Sequence, residues 1–128
     1  MTAPASTVRE YKVDARATET FGRVLCSARD HHFIVDGPEQ NGCPGEEVTP
    51  VELFLAAVGS CGVELVSVIA RDDKVPLRGV RVHAWGKIDR AEQKRPDVTL
   101  FTKVHFHFTL EGTDGASAAR LIEAFKRR

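Results

Sequence analysis

Three features of the chain predict an α+β domain: short strand-like segments gather near the N-terminus, one long apolar helix follows, and two alternating strands with a small helix come last. Its 128 residues, 42% of them apolar, suffice for one domain whose core needs neither disulfides nor a metal. Residues 1–7 are small and polar and read as a loose tail, which leaves 8–128 as a single domain.

Segments 8–15, 21–28 and 31–36 each place apolar residues in partial alternation, with Thr-Glu and Arg-Asp pairs at the turns, and predict an antiparallel meander. Gly37 to Thr49 (GPEQNGCPGEEVT) has three glycines, two prolines and no period, the composition of a loop. Thr49 then suits an N-cap, Pro50 the first helical position, and Glu52 the first turn, where a negative charge complements the helix dipole. The helix predicted over 50–71 is apolar on nearly every face, the pattern of a buried central helix. Glu52 and Glu64 within it argue against a membrane span.

Residues 79–89 (GVRVHAWGKID) alternate with the two-residue period of a half-buried strand, and 98–110 (VTLFTKVHFHFTL) do so more clearly, with Val104, Phe106, Phe108 and Leu110 on one face. Thr113 or Asp114 caps a last helix with an apolar stripe of Ala118, Leu121, Ile122 and Phe125.

Eighteen basic and eighteen acidic residues cancel, so the net charge offers no footprint for nucleic acid or an anionic membrane. The N-terminal residues lack the pattern of a secretory signal, which predicts a cytoplasmic protein. In that reducing compartment its three cysteines are expected as free thiols.

Cys61 sits in the middle of the central helix, in AAVGSCGVEL. A cysteine in such a setting is most often a small core hydrophobe. Gly59 and Gly62, however, cost about 1 kcal/mol each relative to alanine in a helix, which predicts a packing or functional reason for them, such as letting another backbone or a substrate approach the sulfur. Residues 49–61, Thr-Pro-Val-Glu-Leu-Phe-Leu-Ala-Ala-Val-Gly-Ser-Cys, closely resemble the signature of the OsmC/Ohr family, in which a proline opens the central helix and the peroxidatic cysteine follows eleven residues later. The order of elements over nearly the whole chain is similar too.

That resemblance implies an intertwined homodimer with two sites at its interface, where a thiolate attacks the O–O bond of organic hydroperoxides in defence against oxidative stress. No bound cofactor is expected, only an external thiol reductant. The chemistry asks for a cation beside the thiol, an acid or donor for the leaving oxygen, and a second thiol to resolve the sulfenic acid. For the cation, the family uses an arginine of the N-terminal meander, which Arg23 matches best, with Arg16 and Arg29 as competitors. For the acid, the best-studied branch has a glutamate directly after the proline, where this chain has Val51. Glu52, one residue on and about 100° around the helix, is the nearest candidate, although dipole complement is its simpler role. The resolving cysteine expected just after the last helix is absent from this sequence, which ends Lys126-Arg127-Arg128, so either a natural C-terminal segment is missing from it or one thiol works with an external reductant. Cys43, in a loop, is the possible substitute, and Cys26 reads as a core residue.

His105 and His107 share one strand face and, with His83, have the residue types of a metal site. Solvated histidines on a polar face are the commoner case, and no metal is expected. His31 and His32 project to opposite faces. Val51 and the absent second cysteine leave one alternative open, a relative that binds a small apolar ligand without turnover.

Overall fold

Alternation in the N-terminal third produces a three-stranded antiparallel sheet of β1 (Asp14–Ala17), β2 (Arg23–Ala28) and β3 (His31–Asp36), in that spatial order. This is the expected meander, seen in a computed structural model that describes residues 6–128. Residues 1–5 of the expected tail lie outside the described residues. The first strand begins later than the predicted 8–15, because β2 pairs Asp14 with Ser27 and ends at Ala28, so residues further upstream have no partner in this sheet. A tight turn joins β2 to β3, with Arg29 in the left-handed region at φ 54°.

The helix predicted at 50–71 is α1 (Pro50–Asp72). A second, two-stranded antiparallel sheet pairs β4 (Gly79–Lys87) with β5 (Lys103–Glu111), and α2 (Gly115–Phe125) ends the chain, with Asp114 as its N-cap accepting from the Ser117 amide. Residues 98–102, expected in the last strand, stay out of the ladder because β4 stops at Lys87 opposite Lys103. The Gln93 side chain takes the place of a partner strand there. Its amide donates to the Leu100 carbonyl (3.0 Å) and accepts from the Leu100 N–H (2.6 Å).

The chain divides into two compact units, Met1–Glu52 and Leu53–Arg128. In the second, the alternating strands turn Val80, Phe108 and Leu110 inward against Val66, Ile69 and Ala70 of α1 and Leu121 and Phe125 of α2. This is why the apolar stripe of α2 was visible in its sequence.

Although α1 is apolar all round, and long and apolar enough by composition to cross a bilayer, only Gly59, Gly62, Val66, Ile69 and Ala70 are buried. The helix lays one side on the β4–β5 sheet and leaves the other open. Two strands and one short helix do not have the width to wrap a helix of 23 residues.

Candidate functional site

Cys61 projects from the open side of α1 and is exposed. The glycines beside it serve packing, one of the two reasons expected, and not approach to the sulfur. A Cβ on Gly62 would lie 2.8 Å from the ring of Phe108, and one on Gly59 would lie 3.2 Å from Val82. At 100° per residue, these glycines sit about 100° and 160° around the helix from the cysteine. They therefore let α1 settle onto the sheet, and it is this close packing that aims Cys61 away from the core.

On the open side, Phe54, Val58, Cys61, Leu65 and Val68 follow one another at alternating spacings of four and three, which forms a continuous apolar stripe. Phe54, 53% exposed, is steadied by stacking on Phe101 with ring centroids 5.5 Å apart. Cys61 is thus an accessible thiol in apolar surroundings. The residue is mid-helix, with Glu64 one turn on.

Among the three meander arginines the structure makes a distinction. Arg16 and Arg29 are exposed. Arg23 ends the β2–β3 ladder directly opposite Asp36, and its guanidinium forks onto that carboxylate, Nε to Oδ1 at 2.8 Å and Nη2 to Oδ2 at 2.9 Å. Nη2 also reaches Glu46 at 3.1 Å. Asp36 is fully buried. Besides the fork, Oδ2 accepts from the amides of Glu46 and Glu47, both at 3.0 Å. These donors hold its carboxyl at about 2, below the ordinary 3.8, with the Arg23 hydrogen bond the largest cause and burial opposing. The same bonds raise Arg23, which stays charged at any accessible pH.

Asp36 was missed in the sequence. Followed by Gly37 at the end of a strand, it has the ordinary signature of a turn residue, and nothing local marks it as a buried anchor.

Glu52 completes a capping box at the start of α1. Its Oε1 accepts from the Thr49 hydroxyl (2.7 Å) and the Thr49 amide (3.0 Å), while the Glu52 amide donates back to Thr49 Oγ1 (3.4 Å). Its carboxyl is lowered chiefly by the Thr49 hydroxyl, then by the Thr49 amide. Cys43 lies in a loop that is tied down rather than free to swing. A Cβ on Gly22 or on Gly37 would collide with its sulfur, so the thiol fills a space that only two glycines leave. Backbone bonds from Gly37 to Gly22 (2.8 Å) and from Gly45 to Gly37 (3.1 Å) fasten the same loop. Cys26 is buried in β2, as expected.

The β4–β5 register sets His83 opposite His107 and Trp85 opposite His105, all on the exposed face. Among the described residues no group of three or more His, Cys, Asp or Glu is placed to hold a metal ion.

Comparison with known proteins connects this geometry to a family. The sequence model described as OsmC-like protein matches residues 43–128, which include the loop from Cys43 on, α1 with Cys61, and the whole second unit. No curated protein matched the sequence directly. Among solved structures, an OsmC-like protein from Mycoplasma pneumoniae superposes with a TM-score of 0.79 at 11% identity, over 94% of this chain and 82% of that one. An organic hydroperoxide resistance protein from Elizabethkingia anophelis superposes at 0.76 and 17% identity (96% and 85% covered), and one named OsmC from Legionella pneumophila at 0.74 and 18% (95% and 85%). At these identities the structural likeness speaks for the α+β fold. With two thirds of the sequence matched by the family model as well, this chain belongs to the OsmC-like family.

Proposed function

We propose that the protein is a thiol-dependent peroxidase that reduces organic hydroperoxides, with Cys61 as its nucleophile. The observation that carries the reading is an exposed thiol centred on an apolar stripe of α1, at the position where the 49–61 motif resembles the peroxidatic cysteine of the family. An apolar approach suits a bulky alkyl hydroperoxide better than hydrogen peroxide.

The Cys61 thiolate attacks the outer oxygen of the hydroperoxide, breaking the O–O bond. Sulfur becomes a sulfenic acid, and the alkoxide leaves and takes a proton to become the alcohol. An external thiol condenses with the sulfenic acid to give a mixed disulfide and water, and a second thiol releases Cys61 and a disulfide product. No bound cofactor enters, and the cytoplasm supplies suitable thiols. The resemblance to the family assigns Arg23 of the meander as the cation that supports the thiolate. Glu52 is the nearest acid to the family position, but its carboxylate already serves Thr49. Cys43 is the only other thiol outside the β2 strand, and turnover with a dithiol in a Cys43→Ser variant asks whether it resolves the sulfenic acid.

The active form is a homodimer in this reading. The Phe54–Val68 stripe of α1, exposed at Phe54 and Cys61 and half-buried at Val58, Leu65 and Val68, has the heptad-like spacing that packs against another helix.

The test is consumption of cumene hydroperoxide and of hydrogen peroxide with dithiothreitol. The wild type is expected to prefer the organic peroxide, and Cys61→Ser to lose turnover at least a hundredfold. A folded wild type that consumes neither would favour the second reading, ligand binding without turnover, for which Val51 in place of a glutamate is the specific observation.

A further inference from the structure

We propose that His83 and His107, set opposite one another on the outer face of the β4–β5 sheet, bind a borderline divalent metal ion such as Ni(II), Cu(II) or Zn(II). The site lies wholly in the second unit and does not depend on the chemistry at Cys61.

Successive residues of a strand face opposite sides of its sheet. Val80, Phe108 and Leu110 turn inward against the helices, so His83, Trp85, His105 and His107 turn outward, and all four are exposed. The register puts His83 directly across from His107, and His105 across from Trp85. Three of the chain's five histidines therefore share two neighbouring rungs of one ladder. Residues directly opposite in an antiparallel pair have Cβ atoms about 4.5–5.5 Å apart. That separation lets both imidazoles turn onto one ion, with a nitrogen of each about 2.0–2.1 Å from it.

The rings are free to do so. Among the described residues the one histidine ring with a hydrogen-bond partner is His32, on Ser27 Oγ at 2.8 Å. The donor set is nitrogen alone: the carboxylates on this face are Glu111, across from Gly79, and Glu92, 3.9 Å from Lys87, and each marks a rung two steps from His83. Two imidazoles without a carboxylate select borderline cations over Mg(II) and Ca(II), and water completes the coordination. Lys103 does not crowd the pair, because its ammonium is held over the Trp85 ring, 5.9 Å from the centroid. His105 stands diagonal to His83, about 7–8 Å away, and no three metal-binding side chains converge among the described residues. The site is thus a pair, with His105 beside it.

Trp85 is the only tryptophan and lies two residues from His83, about 7 Å along the strand, so its fluorescence reads this site directly. The experiment titrates the full chain with Ni(II), a paramagnetic quencher, at pH 7.5 in a non-chelating buffer, with Mg(II) as the control. Wild type is expected to show saturable quenching by Ni(II) and none by Mg(II). Changes beyond the ligands themselves already cost metal sites 10–100-fold, so His83→Ala and His107→Ala should each weaken binding at least tenfold. His105→Ala should change it less than threefold, and Cys61→Ser not at all. Quenching that does not saturate in the millimolar range overturns the proposal. So does an affinity that survives in either His83→Ala or His107→Ala, or a loss in His105→Ala or Cys61→Ser as large as in those two. Both positions of the pair are exposed, and circular dichroism checks that the variants fold; should one not fold, the other alone decides.

Discussion

Gly62 is a residue whose oddity can be read from the sequence while its packing partner cannot. Its cost in mid-helix was legible in the sequence. That it faces Phe108 rather than the sulfur was not, because the rotational phase of α1 depends on a sheet formed by strands that come later in the chain. Gly62→Ala gains about 1 kcal/mol of helix propensity but drives a Cβ to 2.8 Å from the Phe108 ring. Overpacking of that order costs about 1–3 kcal/mol, so the variant should be less stable, with a lower denaturant midpoint by circular dichroism. An unchanged or higher midpoint would show that Phe108 moves aside freely. Asp36 is the reverse case, a residue with an unremarkable local signature and a large structural role. Its folded pKa of about 2 lies below the ordinary 3.8, so the stabilisation it supplies is complete above about pH 4 and is lost as pH falls toward 2. Denaturant midpoints measured from pH 5 to pH 2 should fall more steeply in the wild type than in Asp36→Asn. Parallel curves would contradict the assignment.

Elements were more legible than residues. Both helices and the β2, β3 and β4 strands follow from periodicity and capping, since those signals are local. The errors fall where pairing decides: β1 starts at Asp14 rather than at 8, and β5 at Lys103 rather than 98, because a strand extends only as far as its partner does. The start of α1 is a capping box, and it permits a separate test. Thr49→Ala removes the hydroxyl that Glu52 holds and should cost about 1 kcal/mol in stability. Glu52→Gln should reduce stability less, since an amide oxygen still accepts from Thr49. Its peroxide turnover, measured in the same assay as Cys61→Ser, should stay within about threefold of wild type; a hundredfold loss would assign the carboxylate to proton donation instead.

At the scale of the whole molecule, the half-open α1 is the feature that most needs an account. The sequence presented this helix as buried all round, and the single chain covers one side only. A second copy packed along the Phe54–Val68 stripe reconciles the two. Sedimentation equilibrium should then show a dimer at micromolar concentration, and Leu65→Glu, which puts a charge into the stripe, should shift it to monomer while α1 keeps its packing on the sheet. A wild-type monomer would leave the stripe to some other partner. The central claim, however, concerns one sulfur. Its most direct test is to treat the fully reduced protein with one equivalent of cumene hydroperoxide in the presence of dimedone and to map the adduct by peptide mass spectrometry. The account predicts consumption of the peroxide with dimedone on Cys61, and with Cys26 and Cys43 unmodified. Unconsumed peroxide with Cys61 still reduced, or an adduct at Cys43 instead, would contradict it.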